Sequence, residues 1–112
     1  MTEAYSRACA VTGEHSLPVL EAAHIRSYAA EGPHEIANGL LLRSDLHRLF
    51  DKGYVTVSED LCLEVSVRLR EDYSNGKSYY PLHGQHIALP LDTRLAPSAE
   101  FLRWHQDNVY LA

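Results

Sequence analysis

The sequence is short of cysteine, of long apolar runs and of positive charge, and each shortage excludes a class of protein. Its two cysteines, Cys9 and Cys62, belong to no C-x-x-C pair, so a four-cysteine zinc site is not encoded. No apolar run approaches the roughly 20 residues of a membrane-spanning helix, and the start of the chain lacks a signal peptide's apolar core. We therefore expect a cytoplasmic protein with free thiols and no membrane partner.

Positive charge is scarce because 10 Lys and Arg residues are outnumbered by 15 Asp and Glu residues, which gives a formal net charge of -5. This balance argues against a domain that binds DNA over its whole surface, but a local basic groove or a basic partner domain remains compatible with it. We expect one domain over residues 1–112, with a core motif at 17–54 and flanking elements at 55–112. We also expect a C-terminal part of a longer protein, with an N-terminal targeting domain.

The pattern of apolar runs and turn residues predicts an α+β fold. Short apolar runs at 19–25 and 39–42 predict two strands that pair antiparallel across a long loop containing Gly32-Pro33. A helix is predicted over Ser44–Lys52, with Ser44 as its N-cap and Gly53 as its C-cap.

The rest of the chain predicts an extra hairpin and a closing helix. Alternating residues at 54–57 and 61–67 predict the hairpin, and a helical turn over Arg68–Tyr73 is expected to stop at Asn75-Gly76. Extended pieces are expected at 79–82 and 86–91. A last amphipathic helix is predicted to open at Pro97-Ser98, run to about Asn108 and close the core.

Three polar residues stand in apolar surroundings within the core motif: His24, Asn38 and His47. Cleavage of a phosphodiester needs a base for water, a cation for the charged transition state and help for the leaving oxygen. Histidine suits the base because its pKa lies near working pH, and a second histidine on a helix is able to bind a metal. Asparagine is suited to fixing a loop through backbone groups.

The segments A-A-H-I at 22–25, N-G-L-L-L at 38–42 and L-H-R-L-F-D at 46–51 resemble the HNH endonucleases, which are ββα-metal nucleases, in one bacterial branch. The resemblance covers about the central third of the chain. It implies a ββα-metal (His-Me finger) core with an extra β-hairpin and a C-terminal helix. It also implies that His24 is the general base, that Asn38 ties the loop and orients this base, and that His47 binds the metal.

One position departs from the family pattern, because Ala23 stands where many members have a metal-binding Asp or His. Two acids could replace that ligand. Asp51 is four residues after His47, on the same helix face, and Glu21 shares the face of Ala23 in a strand. We prefer Asp51 and interpret Glu21 as a surface strand residue. The expected cofactor is one divalent ion, Mg, Mn, Ni, Co or Zn.

Other residues near the motif carry weaker hypotheses. Four cations are candidates for clamping DNA phosphates, or else are ordinary surface charges: Arg26, Arg43, Arg48 and Lys52. Tyr79 and Tyr80 are able to stack on bases but are better interpreted as core or sheet-edge residues. Five histidines have no motif support: His15, His34, His83, His86 and His105.

Two functions follow from these observations. One is a metal-dependent endonuclease that cuts DNA with little sequence preference of its own. The other is a catalytically weak or inactive module that keeps the fold and binds nucleic acid or protein. The acidic charge and Ala23 favour the second, whereas the intact pair His24 and His47 favours the first.

Overall fold

Two strands and the helix that follows them form the central unit of the fold. The computed structural model of the protein describes residues 1–74 and 77–112. Strand β1 (Leu20–His24) pairs antiparallel with β2 (Gly39–Arg43), with His24 opposite Gly39. Helix α1 (Ser44–Lys52) follows β2 directly. The predicted order of strand, loop, strand and helix is confirmed, and the strand ends differ from the prediction by one residue.

Helix α1 is held by an apolar stripe and ended by a glycine. Leu46 and Phe50, four residues apart on one face, are both buried. Gly53 lies at φ 85°, and its N–H donates to the carbonyls of Leu49 and Phe50, as expected for a C-cap. The predicted N-cap is wrong: Arg43 occupies the cap position and Ser44 is the first helical residue, because β2 runs one residue further than expected.

The predicted extra hairpin is also present, in shorter form. Strands β3 (Val55–Val57) and β4 (Leu63–Val65) pair antiparallel, with Val55 opposite Val65. Helix α2 (Arg68–Tyr73) follows and ends at Ser74, whose φ of 55° is left-handed. The predicted stop at Asn75-Gly76 lies outside the described residues.

The extended pieces predicted after α2 are largely wrong. Tyr80–Leu82 is a 3-10 turn, which Pro81 favours because its ring fixes φ near the helical value. Within 86–91 the described residues form only an isolated bridge between Cys62 and His86. Helix α3 (Ala99–Asn108) begins after Ser98, as predicted.

The core lies between the two small sheets, α1 and α3. Leu40, Leu41 and Leu42 of β2 are all buried, so both faces of this strand are covered and its uninterrupted apolar run is explained. The N-terminal segment provides part of that cover, since the Ala10 N–H donates to the Leu41 carbonyl. Both cysteines are free thiols. No helix in the described residues is long and apolar enough to cross a membrane.

A buried histidine connects α3 to the central helix. His105 is 2% exposed, stacks on the Phe50 ring at 3.7 Å, and has Nε2 2.8 Å from the Phe50 carbonyl. Its Nδ1 lies 2.7 Å from Thr56 Oγ1. Because a carbonyl only accepts, Nε2 carries the proton and Nδ1 accepts from the Thr56 hydroxyl. Burial lowers the pKa of His105 to about 4, so the ring is neutral at pH 7.

We predict that His105 makes the fold acid-sensitive. The unfolded chain binds a proton at the ordinary His pKa of about 6.5, whereas the folded chain resists it until about pH 4. Stability is therefore complete above pH 6.5 and falls by up to on the order of 3 kcal/mol as the pH drops towards 4. Urea unfolding of the parent and of His105→Gln between pH 4.5 and 7.5 tests this. The variant should be less stable at pH 7.5, and its free energy of unfolding should change less steeply with pH. The exposed His15→Gln should keep the parent slope; an unchanged slope in His105→Gln would contradict the prediction.

A second prediction concerns the end of α1. A Cβ on Gly53 would lie 2.1 Å from the Val109 carbonyl oxygen, and the backbone there is left-handed. Gly53→Ala should therefore lower the free energy of unfolding by more than the roughly 1–2 kcal/mol that the left-handed conformation alone costs. Thermal unfolding measures this. The comparison is Gly13→Ala, which has a φ of 75° but nothing within 4 Å of the added Cβ. Equal losses in the two variants would show that the contact with Val109 contributes nothing.

Candidate active site

The hairpin and α1 bring His24 and His47 to the same cavity. His24 ends β1 and His47 lies in the first half of α1. Both line a cavity of about 340 Å³, together with Asp51, Tyr28 and Trp104. The two histidines belong to different elements and are 23 positions apart in sequence, so it is the fold that brings them to one cavity.

Carboxylates hold both ring nitrogens of His47. Nδ1 lies 2.8 Å from Glu21 Oε1, and Nε2 lies 3.2 Å from Asp51 Oδ2. The contact places Glu21 beside His47 together with Asp51, although sequence reasoning ranked Glu21 below Asp51. A metal-binding histidine usually donates its second ring N–H to a carboxylate, which fixes the ring. In this arrangement Glu21 takes that N–H, and Nε2 is the nitrogen that points towards Asp51.

The environment of Asp51 affects its protonation. Burial raises the pKa of the Asp51 carboxyl, and the nearby His47 and His24 partly offset this by favouring the charged form. The side chain is nevertheless 57% exposed, so water and solutes reach the carboxylate. Protons therefore compete with a cation for Asp51 at a higher pH than for an ordinary aspartate.

Imidazole and carboxylate donors fit a divalent cation chemically. The described residues nevertheless contain no group of three or more His, Cys, Asp or Glu side chains arranged to hold one ion. Ala23, at the position of the usual extra ligand, is 1% exposed and has no donor atom. His47 and Asp51 would thus hold an ion as a pair, with water or phosphate oxygens in its other positions.

His24 contacts a histidine that sequence reasoning missed. His24 Nε2 lies 3.2 Å from His34 Nδ1, with the rings edge-to-face and their centroids 4.9 Å apart. Tyr28, which is 73% exposed, lies against His34 with 5.6 Å between ring centroids. No spacing signal linked His34 to His24, because the path of the loop between them is irregular.

Asn38 fixes that loop from inside the protein. Its side chain is fully buried, and its Oδ1 accepts from the Arg26 N–H at 2.8 Å. Its Nδ2 donates to the carbonyls of Arg26 and Pro33, each at 2.9 Å. The two ends of the loop are thereby joined beside His24. The effect of Asn38 on catalysis stays a prediction.

The four candidate phosphate-clamping cations fall into two pairs. Arg26 donates to the Ala30 carbonyl and lies 5.7 Å from the Trp104 ring centroid, and Arg43 forms a two-bonded ion pair with Asp45. Arg48 and Lys52 are exposed and form no salt bridge in the part of the chain that the structure describes. The second pair has charge available for another molecule.

Comparison with known proteins agrees with this geometry. Residues 9–58 match the family model described as HNH endonuclease. The fold matches that of a solved protein named "Modification dependent TagI restriction endonuclease", with a TM-score of 0.64 and 24% identity. That match covers 98% of this chain and 37% of the other, so this chain spans little more than a third of that protein's length. No curated protein sequence matches the chain significantly.

The fold is of the α+β class and contains a ββα unit that carries both histidines. The match over residues 9–58, which contain β1, β2 and α1, shows that this part of the chain is similar to the HNH endonuclease family.

We predict that divalent metal binds at His47 and Asp51. His47→Ala should abolish most of the affinity for Mn²⁺ measured by calorimetry, and Asp51→Asn should weaken it. Glu21→Gln should weaken it by roughly 10- to 100-fold, the usual effect of losing a partner that orients a ligand. Affinity in the parent should fall as the pH is lowered, because protons compete for Asp51.

The exposed Glu100→Gln in α3 is the matched control and should bind as the parent does. If His47→Ala and Asp51→Asn both bind Mn²⁺ as tightly as the parent, the metal site is elsewhere.

Proposed function

We propose that this chain is a divalent-metal-dependent endonuclease domain that hydrolyses DNA phosphodiester bonds. The observation that supports this most is the shared cavity, which is lined by a strand-end histidine, by a helix histidine and by Asp51, one of the two carboxylates that contact the helix histidine. A base and a cation site must lie on either side of one phosphate for water to attack it.

His24 is the general base in this proposal. When His24 Nε2–H donates to His34, Nδ1 keeps its lone pair and is able to take a proton from water. Among the described residues, Nδ1 of His24 has no hydrogen-bond partner. His34 and the loop tied by Asn38 hold the ring at a fixed angle, which favours attack along one direction.

His47 Nε2 and Asp51 would hold the cation, and Glu21 orients His47. When bound there, a divalent ion (Mg, Mn, Ni, Co or Zn) would supply positive charge for the transition state and for the leaving oxygen. The protein's own groups carry out the other steps. His24 accepts the water proton, and the cavity walls keep the phosphate between the two histidines.

Binding of the DNA backbone falls mainly to Arg48 and Lys52 in this proposal. Neither cation forms a salt bridge within the described residues, whereas Arg43 is paired with Asp45. The net charge of -5 makes a few local contacts necessary, because the rest of the surface repels DNA. Choice of target sequence or of DNA modification would then come from an N-terminal targeting domain, and the domain itself would cut with little preference.

We predict that His24→Ala cuts DNA roughly 10²- to 10⁴-fold more slowly than the parent, the usual loss for a positioned base. Fold and metal binding should be retained, because His24 does not hold the cation. Plasmid nicking with Mg²⁺, Mn²⁺, Co²⁺, Ni²⁺ and Zn²⁺ measures the rate.

The exposed His15→Ala is the control and should cut as the parent does. Cleavage by His24→Ala at the parent rate, or unfolding of this variant, would show that His24 is not the base. A parent protein that binds DNA but never cuts it with any of the five metals would instead favour the inactive binding module.

A further inference from the structure

A second cavity lies against a different face of α1 from the one that carries His47 and Asp51. It has a volume of about 360 Å³, within the range of small-molecule sites, and Arg48 and Lys52 line it. Each of these cations follows one of the metal-site residues in sequence. Successive helical residues point about 100° apart, so the cavity lies around the helix from the candidate active site.

Part of the wall of this cavity is aromatic. Tyr54, Tyr73 and Tyr79 line the cavity, and Leu49 and Leu69 contribute apolar surface. The Tyr54 and Tyr73 rings meet edge-to-face, with centroids 5.7 Å apart. Tyr73 is 66% exposed, so much of its ring is open to a ligand.

Two of the tyrosine hydroxyls are already engaged, which fixes their rings. Tyr54 donates to Asp72 at 2.7 Å and Tyr79 donates to Asp45 at 2.8 Å. Rings held in this way lose little conformational freedom when a flat group stacks on them.

We propose that this cavity binds one unstacked nucleotide of the DNA strand that the domain cuts. Arg48 and Lys52 take its phosphate, and the tyrosine wall takes its base. Of the ligand classes that this surface suits, a nucleotide combines negative charge with a flat π system, and stacking of this kind tolerates any base. The proposal deepens the proposed function, on which it rests for the identity of the ligand.

The test separates the base from the phosphates. His24→Ala protein in EDTA is titrated with two labelled oligonucleotides of equal length, one of thymidine and one abasic, and binding is followed by fluorescence anisotropy. The thymidine strand should bind more tightly. Tyr73→Ala should lower the affinity for the thymidine strand by roughly 5- to 100-fold, the usual contribution of one base–aromatic stack, and leave the affinity for the abasic strand unchanged.

The cations should affect both strands alike. The double variant Arg48→Gln/Lys52→Gln should bind both oligonucleotides more weakly by the same factor, and its binding should depend less on salt. Arg7→Gln, an exposed arginine paired with Glu3, and Leu91→Ala, an exposed apolar residue, are the matched controls.

Equal binding of the two strands by the parent would overturn the proposal, since only charge would then be recognised. Preference for thymidine that survives in Tyr73→Ala would also overturn it, because the base would then bind elsewhere. Since no metal is present and His24 is absent, cleavage has no part in these measurements. A parent that shows the base preference but cuts no DNA would refute the proposed function and keep the nucleotide site.

Discussion

The three hydrogen bonds of the Asn38 side chain are the constraint on which the candidate active site depends. They join Arg26 at one end of the loop to Pro33 further along it, from a position that solvent does not reach. Removal of the amide would leave an N–H and two carbonyls without partners, at a cost of about 1–3 kcal/mol for each buried group. The loop carries His34 against His24, so its closure sets the surroundings of the proposed base.

Helix α1, which carries His47, is held in place by α3 and the C-terminal segment. His105 of α3 donates to the Phe50 carbonyl of α1 and stacks on the Phe50 ring, while Thr56 of β3 donates to its other nitrogen. At the C-terminal end of α1, the Gly53 backbone is in close contact with the Val109 carbonyl, and the Leu111 N–H donates to the Gly53 carbonyl. The C-terminal segment thus fixes the end of α1, although it contributes no candidate catalytic group.

Much of this fold could be predicted because its signals are local. The apolar run at 39–42 predicted β2, and a glycine able to adopt positive φ predicted the end of α1 at Gly53. The spacing of His47 and Asp51 placed both on one helical face, and the structure has them 3.2 Å apart. The extended pieces after α2 were mispredicted because Pro81 fits a 3-10 turn as well as an extended segment, and local sequence does not distinguish the two.

What the sequence could not predict depends on contacts between distant segments. His34 and His105 had no motif, and their roles come from a loop path and from helix packing that no periodicity encodes. Glu21 shows the same limit. Its strand position placed it beside Ala23, but only the packing of α1 over β1 brings it within 2.8 Å of His47. The two pairs of cations could be separated only once their partners were known.

In the proposed metal site, the arrangement around His47 would compensate for the ligand that Ala23 does not supply. Ala23 is buried and supplies no donor atom, so His47 and Asp51 would be the protein ligands of the proposed ion. Glu21, two residues earlier on the same strand, holds His47 Nδ1 and thereby directs Nε2 towards Asp51. An ordered pair of ligands loses less conformational entropy on binding than two mobile ones. The proposed base and the proposed cation site would then be held by separate elements, the loop for His24 and the helix for His47. A change in one support would then alter one half of the proposed chemistry and leave the other in place.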